Sequence, residues 1–129
     1  MANAQLFSRA RGREFQSAMM AWQTSVPDAY GNASRLVFNP DNRKEARATQ
    51  YPSWRAAYYD PAMNQKVDAA LLEPDDAQRS EMYGALQRAA MEKGPMALMF
   101  QMHNSAGVSP TVQNWTWNGF RVRYGAARN

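Results

Sequence analysis

The chain has 129 residues, enough for one domain and short for two, and its 45% hydrophobic content places it among globular proteins. It holds no cysteine, which excludes disulfides and thiolate metal sites, and no apolar run approaches the roughly 20 residues of a membrane-spanning helix. The net charge of +4 is scattered, with Arg9, Arg11 and Arg13 near one end and Arg121, Arg123 and Arg128 near the other, so it reads as a solvated basic surface and not as a nucleic-acid stripe.

A mean hydropathy of −0.67, with alanine at many apolar positions, leaves a modest core resting on the aromatics, nine methionines and a few Leu, Val and Phe. The opening, MANAQLFSRARGREF, puts three arginines where a signal peptide would place its apolar segment, so it does not read as an export signal. Residues 4–13 read as a short helix that Gly12 stops. EFQSAMMAW then alternates Phe15, Ser17, Met19 and Ala21 against Gln16, Ala18, Met20 and Trp22. Both sets are fairly apolar, which predicts a strand buried on both faces.

From Gln23 to Trp54 the chain carries Pro27, Gly31, Pro40 and Pro52 with Asn and Asp beside them, the composition of a long loop. SRLVFN is expected to supply a short edge strand inside it. Two helices follow. Asp60-Pro61 is a capping residue followed by proline in the first turn, and Met63, Val67, Ala70 and Leu71 share one face. Pro74 ends that helix. Asp75 or Asp76 caps the next, with Gln78 completing a capping box; Met82, Tyr83, Leu86, Ala89 and Ala90 form its apolar face, and Lys93-Gly94-Pro95 stops it. MALMFQMH predicts another strand buried on both faces, and the tail from Gly107 reads as strand-like. The element order is that of an α/β or α+β domain.

Chemistry-bearing motifs are few. There is no Gly-rich phosphate loop, no paired metal-ligand spacing and no nucleophile elbow. The one histidine, His103, ends a predicted strand and reads as a hydrogen-bonded strand-end residue; a hydrolase would have to be built on it. Asp75 and Asp76 are accounted for as helix caps. Asp28 lies in the loop after Trp22 with no predicted helix to cap. Trp54, Tyr58, Tyr59, Trp115 and Trp117 read as packing residues, with Trp115 and Trp117 on one face of a strand. Trp22 differs because Gln23, Thr24 and Ser25 follow it directly. An apolar platform flanked by polar groups is how small-molecule pockets are built.

These features together carry a resemblance. The Trp22 segment with an aspartate six positions on, and the block YYDPAMNQKVDAALLEPDDAQRSEMYGALQRAAMEKGPMALMFQ from Tyr58 to Gln101, resemble the C-terminal part of the periplasmic solute-binding proteins of peptide-type ABC transporters (extracellular solute-binding protein family 5, dipeptide- and oligopeptide-binding-like). VQNWTWNGFRVRYG sits where that family's chain ends.

The resemblance implies part of one lobe of a two-lobed fold, a mixed sheet flanked by helices. Residues 1–101 would belong to the second, ligand-binding lobe, and residues 102–129 would cross the hinge back toward the first. It implies a non-catalytic receptor, without a cofactor or metal, that delivers a solute to a membrane permease from the periplasm. The partners implied are a peptide, sugar or opine-like solute, the permease and the first lobe, with no nucleic acid.

The ligand-binding residues implied are Trp22, Gln23, Thr24, Ser25 and Asp28. Ser25 stands where peptide-binding members carry an aspartate for the ligand's ammonium group, and a neutral hydroxyl makes a weaker bond to a cation. Asp28 aligns with the carboxylate of the family's Asp/Glu-Pro pair, with Ala29 in place of the proline. The alternative reading is a free-standing basic adaptor or nucleic-acid-binding domain, resting on the pI near 9.7.

Overall fold

The computed structural model describes residues 3–24, 28–101, 105–113 and 115. By its contacts the chain divides into two compact units, Met1–Leu98 and Met99–Asn129. Among the described residues, the first holds five α-helices and a short 3₁₀ turn.

The firmest local signals build a helical hairpin. Helix α4, Pro61–Leu72, starts where the Asp60 carboxylate accepts from Ala62 N (2.9 Å) and Met63 N (3.1 Å), satisfying amides that have no partner within the helix. Helix α5, Asp76–Lys93, starts in the same way, with Asp75 Oδ1 accepting from Gln78 N at 2.8 Å. The turn between them is closed by Arg79, which donates to the Glu73 carbonyl at 3.0 Å and pairs with Asp76. Gly94 ends α5 for a reason other than backbone handedness. Its φ is −76°, but an added Cβ would lie 2.3 Å from the Ala90 carbonyl oxygen, so only glycine lets the chain leave so close to the last turn.

Met63, Val67 and Ala70 of α4 and Leu86 of α5 are buried against each other, while Leu71, expected on the same face, is 47% exposed at its edge. Helix α2, Ala29–Leu36, packs across both members of the hairpin and adds Ala33, with Val37 following at its cap. The SRLVFN segment is therefore not an edge strand. Ser34, Arg35 and Leu36 form the last turn of α2, because placing Ala33 and Val37 four residues apart on one helical face buries both, which outweighs the poor helix propensity of Gly31 and Asn32.

Between α2 and α4 the chain is irregular but densely hydrogen-bonded, with a 3₁₀ turn at Lys44–Ala46 and helix α3 at Pro52–Arg55. Asn39, fully buried, organises it. Its Nδ2 donates to the Tyr58 carbonyl (2.6 Å) and to Asn42 Oδ1 (3.2 Å), while its backbone exchanges two bonds with the Asn64 amide of α4, at 3.0 and 2.6 Å. Ser53 Oγ donates to the Phe38 carbonyl, and Trp54, 2% exposed, donates from Nε1 to the Arg43 carbonyl at 3.1 Å. Trp54, read as a packing residue, lies buried in α3 ahead of α4.

The expectation of a mixed sheet flanked by helices is overturned: the described residues are about half helical and contain no strand. Residues 15–22 and 96–101 have the composition of buried strands, yet Met19 is 71%, Leu98 64%, Met99 71% and Phe100 73% exposed. A strand is defined by the neighbour that takes its backbone hydrogen bonds, and neither run has one among the described residues. Apolar alternation states what a segment would bury, not whether a partner is present.

Helix α1, Asn3–Arg11, ends as Gly12 N donates to the Ser8 carbonyl at 2.9 Å. In the second unit the described residues are irregular, with Val112 N donating to the Ser109 carbonyl at 3.0 Å and the Ser109 and Thr111 hydroxyls paired at 2.9 Å.

Candidate functional site

Of the residues singled out around Trp22, Trp22 itself and Asp28 are tied to the first residues of α2, and among the described residues no strand leads to them. Trp22 lies in an irregular segment, 40% exposed, and its indole Nε1 donates to Asn32 Oδ1 of α2 at 3.0 Å. That bond holds one edge of the ring against the helix and leaves much of the ring in contact with solvent. Gln23 is exposed and Thr24 half-buried. Ser25 lies outside the described residues, as do His103 and Trp117.

Asp28 has a helix to cap after all. Its extended backbone (φ −137°, ψ 144°) precedes Ala29, and its Oδ1 accepts from Tyr30 N at 2.7 Å. The carboxylate thus sits at the positive end of α2, where both the free amides and the helix dipole favour it. Sequence reasoning missed this because Gly31, Asn32 and Ser34 lie within the helix and disguise it as loop.

Asp28 also faces the hairpin. The Tyr83 phenol of α5 titrates above its ordinary range, first because it is desolvated and then because the negative charge of Asp28 lies nearby, with Arg79 acting in the opposite direction. The start of α2 therefore presents an aromatic platform, the Asn32 amide that holds it and a carboxylate at the helix cap. Such a set can stack on a flat or apolar ligand surface and hydrogen-bond polar groups beside it. Among the described residues there, no nucleophile is hydrogen-bonded to a base. Among the described residues no three His, Cys, Asp or Glu side chains converge as a metal site would require.

A second cluster, around Asn39, Asn42 and Trp54, is more tightly built; Trp54 reads from the sequence as a packing residue, and the asparagines beside Pro40 read only as turn chemistry. Arg13, from the segment after α1, joins it. Its guanidinium lies 3.8 Å from the Trp54 ring centroid and donates to the Asn42 carbonyl and to Asn42 Oδ1, both at 2.9 Å. The legible signal was the density of side-chain amides, Asn39, Asn42 and Asn64, around a proline turn.

Comparison with family models, with curated proteins and with solved structures returns no match to this chain.

Proposed function

We propose that this chain is the C-terminal portion of a solute-binding receptor that carries a peptide or a related small polar solute to a membrane permease in the periplasm, without catalysis. The observation that carries the reading is the start of α2, where Trp22, half in solvent, is tethered to Asn32, four residues on from the capping carboxylate of Asp28. In support, the punctuation of the Tyr58–Gln101 block (Asp60-Pro61, Pro74-Asp75, Lys93-Gly94-Pro95) coincides with the ends of α4 and α5. A clamp-type receptor also accounts for the exposed apolar side chains at Met19 and Leu98, since surfaces of that kind ordinarily meet another body of protein.

The same geometry bears on the ligand. One oxygen of Asp28 is engaged by the first turn of α2, and the sequence has serine at position 25, so the aspartate that the resemblance implies for a terminal ammonium is not there to anchor one. Peptide, sugar and opine-type conjugates all remain suited to an aromatic platform with neutral polar neighbours.

The test is an amide ¹H–¹⁵N titration of the chain with dipeptides, oligosaccharides, opine-type conjugates and a DNA duplex. Shifts confined to residues 22–32 with one small-solute class support the reading. Shifts at the arginines with DNA alone, lost as salt is added, overturn it in favour of a nucleic-acid binder.

A further inference from the structure

Arg13 makes an unusual set of contacts. A planar cation stacks on one face of Trp54 while its two terminal nitrogens fork onto a single residue, the Asn42 carbonyl and Asn42 Oδ1. The receiving side is built independently of Arg13. Trp54 is held by its bond to the Arg43 carbonyl, and Asn42 Oδ1 is oriented by Asn39 Nδ2, itself fully buried. An aromatic face plus two forked oxygens matches a guanidinium and not an ammonium, whose donors are not coplanar.

The fit of Arg13 itself is imperfect. Its Nε is buried without a hydrogen bond, and its backbone takes φ 56°, a left-handed conformation that costs a non-glycine residue. Docking also brings Arg11 close enough to Arg55 to act against its charge, behind the effect of burial. The helix pairs that pack extensively are α4–α5, α2–α4, α2–α5 and α2–α3, and α1 belongs to none of them. Helix α1 is thus attached at its C-terminal end, where Ala10 is buried and Arg13 reaches across.

We propose that the Trp54–Asn42 cradle is a guanidinium receptor filled in cis by Arg13, and that an arginine side chain of a partner peptide competes for it and releases α1 as a strap. Occupancy by the outside arginine and opening of the strap are then linked, because only the undocked chain offers the cradle.

The test uses the whole chain, with methylguanidinium as the probe and methylammonium at equal ionic strength as the control. It reads the Trp54 indole resonance and amide exchange in α1 and α5. In the parent protein, methylguanidinium shifts the indole and speeds exchange in α1 while α5 stays protected, and methylammonium does neither. Arg13→Ala exposes α1 without any probe. It also binds methylguanidinium at least about tenfold more tightly than the parent, since the tethered competitor is gone. Asn42→Ala, which keeps the strap and Arg13 intact, lowers α1 protection and weakens the probe response. Equal responses to both cations would overturn the proposal, as would undiminished α1 protection in Arg13→Ala. A loss of α5 protection together with α1 would also overturn it, by making Arg13 part of the cooperative core.

Discussion

The indole nitrogen of Trp22 donates to Asn32 Oδ1 at 3.0 Å, so a side-chain bond ties an irregular segment to α2. Because the pair is exposed, the bond contributes at most about 1 kcal/mol to stability. Its consequence is positional. Asn32→Ala is expected to shift the melting temperature only slightly but to increase quenching of Trp22 fluorescence by iodide, read in a background where Trp54, Trp115 and Trp117 are phenylalanine. Unchanged quenching would mean that the ring is held by something other than this bond.

Asp28 has two consequences that can be separated. As the cap of α2 it is expected to cost about 1 kcal/mol on replacement by alanine and much less on replacement by serine, which caps almost as well. As a charge near Tyr83 it helps hold that phenol protonated. Asp28→Asn should lower the Tyr83 pKa but leave it above the ordinary phenol value, because desolvation, the larger cause, remains. An ultraviolet pH titration measures this directly. For a group whose pKa is raised by folding, the associated stability is present below the unfolded value and lost as pH rises through the folded one.

Asn39 is expected to be the most costly polar residue to remove. Truncation to alanine leaves the Tyr58 carbonyl without that donor in a buried setting and removes one of the donors to Asn42 Oδ1. A loss of about 2–3 kcal/mol in chemical denaturation follows from the desolvation of groups left unpaired. Asn64→Ala, which removes the partner of the Asn39 backbone, should be less than additive with it, since the two act in one network.

The Asp41 carboxyl is depressed to about 2, chiefly by the side-chain hydrogen bond from Arg43, whose guanidinium lies 2.6 Å away. A depressed carboxylate contributes stability above its unfolded pKa and loses it as pH falls through the folded value. The loss is therefore expected between about pH 4 and pH 2, and Arg43→Gln should return the Asp41 titration, followed by carboxyl ¹³C shifts, toward the ordinary range. Both groups are well solvated, so added salt should have the same direction of effect.

Helices α4 and α5 were legible because their signals are local. A carboxylate capping two amides, a proline at the first position and a glycine against the last carbonyl each act within a turn of chain, and no other part of the molecule is needed to satisfy them. The stripe from Met63 through Val67 to Ala70 was legible for the same reason, since a helix presents every third or fourth residue to one side whatever lies there. The choice of Trp22 and Asp28 as neighbours of interest also came from the residues, although the helix that Asp28 caps did not.

Tertiary structure decided the rest. Gly31, Asn32 and Ser34 argue against a helix on propensity, and α2 forms because Ala33 and Val37 find the hairpin to pack on. Residues 15–22 and 96–101 argue for strands on pattern, and none forms among the described residues because a strand's hydrogen bonds must be met by another segment. The loop around Asn39 reads as turns, yet it becomes a hydrogen-bonded network when Asn64, 25 residues away, and Arg13, 29 residues from Asn42, arrive beside it. What one turn of chain can satisfy is written in the sequence, and what needs a distant partner is settled only when the chain brings that partner into contact.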